Sequence, residues 1–332
     1  MNEKIVDYAA QCYGIEKPQL KPMSGGHYTH VYEFAQNNRQ YVLRIIPPDD
    51  EYSIQAVKAI QGWTSYFASH GASVPKPVVS RNGNLIELAE QDNKIYTIVV
   101  SEKARGTLAE RLSSDQWNDT LYHNIGKAVG KMHALAKEYI PSGLSLKRPE
   151  WNMIRNLYNS TKCLDSSQLI IKEKYEKNMN YICSLAKDKD CYGLIHNDLH
   201  FANFYVDLDN NTITLFDFDD CSYGWFVMDI ATPLFDIVVL YNRCDKEKLV
   251  SRFLKNFLKG YVTENNVNTF WVNQLPYFLK ELEIYYYTLL FEKYDVNDHK
   301  SWVGKFMVNR KYRIENDIPY ISLDFEDLLE IK

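Results

Sequence analysis

Residues 194–207 read LIHNDLHFANFYVD: an apolar run leads into His196, Asp198 and His200 at every second position, with Asn203 close behind. Two chemistries use such residue types. Imidazoles on either side of a carboxylate suit zinc or iron, the ligand set of a metallohydrolase. The stretch that follows, NFYVDLDNNTITLFDFDD over 203–220, offers another. Its two alternating runs are split by Asp209-Asn210-Asn211, residues that favour turns. A hairpin centred on Asn210 sets Asn203 and Asp217 roughly opposite each other and gathers Asp198, Asn203 and Asp217 at its open end. Carboxylate and amide oxygens together suit a hard cation such as Mg2+, which keeps waters and also binds phosphate oxygens. That is the constellation of phosphoryl transfer, where positioning and charge neutralisation supply most of the catalysis. The plain structural alternative makes the same acids turn formers in an ordinary hairpin. A zinc or iron site would leave the hairpin oxygens without a role.

The elements around this cluster divide the chain by character. YEFAQNNRQYVLRII (32–46) predicts a hairpin turning at Asn37-Asn38-Arg39. SIQAVKAIQGWTSYFASHG (53–71) has apolar residues at Ile54, Val57, Ile60, Trp63 and Phe67, the helical period, closed by Gly71. VVSRNGNLIEL and KIYTIVVS predict a second hairpin with Asn82-Gly83 as its turn. Beyond residue 106 the pattern turns helical. In LYHNIGKAVGKMHALAKEY (121–139) Gly126 and Gly130 stand four apart and mark a close helix contact, and helical spacing resumes from 230 to the end. The expectation is an α+β chain with a β-rich N-lobe over 1–100, a connection over 101–106 and a mainly helical C-lobe over 107–332.

His196, Asp198 and Asn203 in LIHNDLHFAN, then Asp217 in LFDFDD, then Asp229 in MDIA closely resemble the ordered segments of the aminoglycoside phosphotransferase and choline kinase family, which commonly reads LIHGDLHxGN, IDFxD and DIA. The resemblance implies a bilobal protein-kinase-like fold and transfer of the γ-phosphate of ATP (or GTP) to a hydroxyl of a small molecule. It implies Asp198 as the catalytic base and Asn203 and Asp217 as the holders of Mg2+. His196, His200 and Asp229 are read as loop support, Asp229 being placed near a helix start where an acid is favourable. Asn197 and Ala202 depart from the family's glycines. Only residues 218–228 separate Asp217 from Asp229, too few for the activation loop of a protein kinase.

The same resemblance assigns a nucleotide side. Ser24-Gly25-Gly26 precedes a strand, where glycines let backbone N–H groups approach phosphate. Arg44 in YVLRI stands in the position of the kinase strand lysine, and its fork can grip phosphate oxygens. Ser101, Glu102 and Lys103 resemble the hinge that faces adenine. Residues 52–71 contain no acid at all, although this fold usually holds the strand cation with a Glu on that helix. Counted back from Val74-Pro75, Ile60 occupies the Glu position, so Arg44 is expected to be held by Glu51 or Asp217. The rival from another class is therefore a catalytically idle nucleotide-binding protein; a protein Ser/Thr kinase also stays open. Asp236, Glu281 and Tyr285 are candidate acceptor-binding residues. Glu281 and Tyr285 share a helix face, which would suit an amino-bearing alcohol; the structural alternative leaves Glu281 and Glu283 in solvent.

A net charge of -5 and a pI near 5.9 argue against nucleic acid as the main partner. The start MNEKIVDYAAQCYGIEK has no basic and apolar leader, and no run approaches the roughly 20 apolar residues of a membrane span. A cytoplasmic monomer or homodimer is expected. The six cysteines form no CxxC pair and are read as ordinary thiols.

Overall fold

The computed structural model describes residues 3–23, 29–48, 53–158, 164, 166–240, 246–296 and 298–323. Contacts divide the chain into two compact units. Unit 1 comprises Met1–Ala109, Glu138–Arg148 and Phe204–Asp219, and unit 2 comprises Glu110–Lys137, Pro149–Asn203 and Asp220–Lys332.

Unit 1 is built on antiparallel strands. Helix α1 (Glu3–Tyr13) precedes β1 (Lys21–Pro22), β2 (His30–Gln36), β3 (Arg39–Ile46), α2 (Ile54–Ser69), β4 (Pro77–Val78), β5 (Glu87–Gln91), β6 (Lys94–Glu102) and β7 (Thr107–Leu108). Among the described residues the sheet runs β1-β2-β3-β6-β4, with β5 also paired to β6. Asn37 and Asn38 close the β2–β3 hairpin at φ 51° and 60°, as their types predict. The second hairpin differs from expectation. β5 and β6 turn at Asp92-Asn93, with φ 50° and 58°, a pair that tolerates the left-handed region a tight hairpin needs. Asn82-Gly83 forms an earlier turn, pinned where Asn82 and Asn84 donate to the buried Glu87 at 3.0 and 3.3 Å.

Alternation along β3 separates the two faces of the sheet. Leu43 and Ile45 join Ile98 and Val100 under Ile5, Val6 and Ala9 of α1. Arg44 and Ile46 point to the opposite face, where Ile46 packs with Val57 of α2 and Val99 of β6. Strand β7 also pairs with β9 (Phe204–Asp207), which pairs with β10 (Thr212–Leu215). Gly106, at φ 96°, makes that approach feasible, because a Cβ there would lie 2.1 Å from the Val206 carbonyl oxygen.

Unit 2 is mainly helical: α3 (Asp119–Ala136), α4 (Trp151–Tyr158), α5 (Leu169–Ser184), α6 (Phe226–Leu240), α7 (Lys246–Tyr261), α8 (Thr269–Val272), α9 (Leu275–Lys293), α10 (Trp302–Met307) and α11 (Arg310–Glu315). A two-stranded pair, β8 (Tyr192–Ile195) with β11 (Ser222–Trp225), leads into the 196–203 stretch. Asn118 caps α3 by accepting the Leu121 N–H at 3.0 Å. The glycines of α3 do what their spacing predicts: a Cβ on Gly126 would lie 1.9 Å from the Phe257 carbonyl oxygen of α7, and one on Gly130 2.5 Å from that of Tyr261. No helix among the described residues is long and apolar enough to cross a membrane.

Candidate active site

The loop after β8 is short and heavily braced within unit 2. His196 and Asn197 are buried, and Asn197 takes φ 69°. That conformation is natural for glycine and open to asparagine, so asparagine can stand where the family commonly has glycine. Both residues donate their backbone N–H to Asp229, at 2.7 and 2.8 Å. Asp229, in the first turn of α6, is fully buried and also meets His133 Nε2 at 3.0 Å. Burial lowers the pKa of His133 while Asp229 opposes that shift. A neutral ring then donates from Nε2 to Asp229 and accepts the Tyr261 hydroxyl at Nδ1, 2.9 Å away; Asn265 in turn donates to Tyr261 at 2.8 Å. This chain of bonds fixes the backbone just before Asp198 from three helical layers back.

Asp198 is gripped from its own loop. Asn203 Nδ2 donates to the Asp198 carbonyl oxygen at 2.8 Å and to Oδ2 at 3.0 Å, so the remaining side-chain group of Asn203 is its amide oxygen. His200 Nδ1 accepts the Ala202 N–H at 3.2 Å, which places the ring proton on Nε2. That nitrogen lies 3.2 Å from Asp198 Oδ2. Asp236, on α6, accepts the Phe201 N–H at 2.8 Å. Burial pushes the Asp236 carboxyl up to about 6, against the opposing influence of His200 and of that N–H bond. Candidate acceptor residues on α9 are inward. Glu281 and Glu283 are 0% and 2% exposed, which overturns the solvated alternative, and Arg310 pairs with Glu283. Tyr285 lies edge-on to Tyr286 at 5.4 Å.

In unit 1, β9 and β10 pair from Asp207↔Thr212 to Phe204↔Leu215. The ladder is centred between Asp209 and Asn210 and ends before Asp217, which is exposed and takes φ 64°. A left-handed non-glycine residue at this position is the kind of local strain that gathers at working sites. Phe218 is buried edge-on to Trp63 of α2, ring centroids 5.1 Å apart. Asp219 then meets Arg44 fork to fork: Nη1 lies 3.1 Å from Oδ1, and Nη2 contacts Oδ2. The sequence points to Glu51 or Asp217 as the anchor; the structure adds Asp219, and Glu51 lies outside the described residues. Its signal was the surplus acid in Asp217-Phe218-Asp219-Asp220. Ser24, Gly25 and Gly26 also lie outside the described residues. Ser101 and Glu102 are strand residues of β6, and the N–H groups of Glu102 and Lys103 donate to Lys76 and Gln40 carbonyls at 2.9 and 2.8 Å. Their side chains pair within the unit, Lys103 with Glu33 and Glu102 with Arg39.

A divalent cation fits these donors by type: an amide oxygen at Asn203 and a carboxylate at Asp217 are hard ligands. Among the described residues no group of three or more His, Cys, Asp or Glu side chains is gathered to hold a metal. Magnesium commonly uses one or two carboxylates with waters and substrate phosphates.

A family model described as "Phosphotransferase enzyme family" matches residues 19–265. Amicoumacin kinase of Bacillus subtilis (strain 168) is 32% identical over 335 residues, 98% of this chain and 96% of that protein. Among solved structures, an amicoumacin kinase in complex with AMP-PNP, Ca2+ and Ami is similar with a TM-score of 0.88 and 28% identity, covering 98% of this chain and 97% of that one. A microcompartment-associated aminopropanol kinase, at TM-score 0.74 and 17% identity over 95% and 97% of the two chains, shares the fold. The fold is the α+β protein-kinase-like class, with a β-sheet N-terminal region and a helical C-terminal region.

Proposed function

The chain belongs to the phosphotransferase enzyme family, and on that premise we propose that it is a small-molecule kinase that moves the γ-phosphate of ATP, with GTP as the other candidate, to a hydroxyl of an amicoumacin-type antibiotic. Asp198 acts as the base that orients the hydroxyl and accepts its proton. The observation that carries this is the double donation from Asn203 Nδ2 to the Asp198 carbonyl and carboxylate. A base must be held in its productive rotamer before the acceptor arrives.

Asn203 and Asp217 would hold Mg2+, which when bound neutralises charge on the phosphates. Arg44 binds phosphate oxygens with the N–H groups that its fork has beyond those facing Asp219. Adenine contact from the 101–103 stretch would use carbonyl oxygens or the Ala104 N–H, since the Glu102 and Lys103 N–H groups already donate within the sheet. His196, His200 and Asp229 hold the loop. Asp236, Glu281 and Tyr285 are the proposed acceptor side, where buried acids favour an amino-bearing molecule. The idle-binder reading keeps one observation in its favour: α2 carries no acid at Ile60 or elsewhere between Ile54 and Ser69.

The test is ADP release with ATP, Mg2+ and amicoumacin. Wild-type protein turns over, and Asp198→Asn loses about a hundredfold or more in kcat with its unfolding midpoint little changed. Nucleotide binding with no consumption, and no effect of Asp198→Asn, would establish the idle binder.

A further inference from the structure

The missing helix acid leaves a physical question about Arg44. Its neighbours across the sheet are Val31 on β2 and Val99 on β6, so no polar side chain flanks it in register. It lies on the face that carries α2, and α2 offers Val57 there rather than a carboxylate. An unanchored arginine on such a face keeps many rotamers, and ordering it on phosphate would weaken binding.

Asp219 meets that need from a different element. It accepts from both terminal guanidinium nitrogens of Arg44, and the two side chains are only 24% and 15% exposed. The turn that presents it is itself fixed. Phe218 is wedged against Trp63 and lies 6.5 Å from Phe67, both fully buried residues of α2. Arg148 Nη2 donates to the Asp219 carbonyl oxygen at 2.6 Å. The helix thus contributes aromatic packing to the turn, and the turn contributes the charge to the strand.

We propose that Asp219 is the positioning residue for Arg44, taking over the task of the absent helix glutamate and coupling the phosphate-binding cation to the turn that carries Asp217. This rests on the proposed phosphate role of Arg44. In this proposal Asp219 acts through Arg44, with no role assigned to it on phosphate or metal. The arrangement removes the main argument for an idle site, because the cation is anchored without Ile60.

A double-mutant cycle read as AMP-PNP affinity tests it, with Mg2+ present and binding followed by calorimetry. Arg44→Ala and Asp219→Asn are each expected to weaken binding about tenfold. Combined, they should bind no more weakly than Arg44→Ala alone, the signature of one residue acting through the other. Asp219→Glu, which keeps the charge, should recover part of the loss, and each variant's unfolding midpoint is measured to separate folding from binding. Wild-type affinity in Asp219→Asn overturns the proposal, as does a double variant that loses the product of the two single effects, since Asp219 would then act independently. Wild-type affinity in Arg44→Ala removes the phosphate role of Arg44 and this inference with it. Loss in Arg44→Ala without loss in Asp219→Asn removes this inference alone.

Discussion

At the residue scale the structure assigns distinct partners to side chains that sequence spacing merely lines up. His200, placed by the sequence as loop support, accepts the Ala202 N–H at Nδ1, and its Nε2 faces Asp198 at 3.2 Å. Replacing it with leucine removes a polar contact to the proposed base. We expect His200→Leu to lower kcat about tenfold, the effect of one hydrogen bond to a charged group, with KM for nucleotide unchanged. His200→Gln, which can place a nitrogen near the same spot, should retain most of the rate. A different behaviour is expected at Asp236. Its folded pKa, raised by burial to about 6 from an ordinary 3.8, means the native chain holds this proton more tightly than the unfolded chain does. Unfolding free energy therefore falls with rising pH between about 4 and 6 on account of this group, and the penalty persists above that window. Asp236→Asn can still accept the Phe201 N–H and carries no charge to bury. Relative to wild type, its unfolding midpoint should rise from pH 4 to pH 6 and level off; a difference that stays constant with pH would contradict the assignment.

At the element scale, α6 is the brace of the 196–203 loop: Asp229 takes two backbone N–H groups and His133, and Asp236 takes the Phe201 N–H. Behind it the α3–α7 contact depends on residues without side chains. Gly126→Ala would drive a Cβ to 1.9 Å from a backbone carbonyl oxygen, which flexible side chains cannot relieve. A loss of roughly 1–3 kcal/mol or more is expected in denaturant unfolding. Gly143→Ala, whose Cβ would find only Ser145 Oγ at 4.0 Å, serves as the control and should stay within about 0.5 kcal/mol. Both α2 and α3 were legible in sequence because apolar period and caps are local signals, and so was the Asn37-Asn38 turn. The second hairpin turns elsewhere than its local signal indicates: Asn82-Gly83 carries the stronger dipeptide signal, but Asp92-Asn93 sits between the strands that pair, and pairing is decided by the sheet.

At the scale of the whole molecule, family membership follows from a match over residues 19–265, and the reaction class follows from the family. Ligand binding to the folded chain should therefore stabilise it. AMP-PNP with Mg2+ at a hundredfold excess over its Kd is expected to add about 2.7 kcal/mol, read as a raised unfolding midpoint that a chelator reverses. Much was present in the sequence itself: His196, Asp198, Asn203, Asp217 and Asp229 in order, the β-rich start and the helical remainder, because residue types at fixed short spacings encode both the loop chemistry and the local elements. The anchoring of charge was not. Arg44 and Asp219 stand 175 residues apart, Glu283 and Arg310 stand 27 apart, and nothing local distinguishes Asp219 from Asp217 or Asp220. Which acid meets which cation depends on the face to which a strand turns its side chains and on the turn that the fold brings there. The sequence by itself determined the loop and the groups proposed to react. Tertiary structure alone decided that an acid from the turn, and none from the helix, anchors the strand arginine, because ion pairing depends on distance in space and not on distance along the chain.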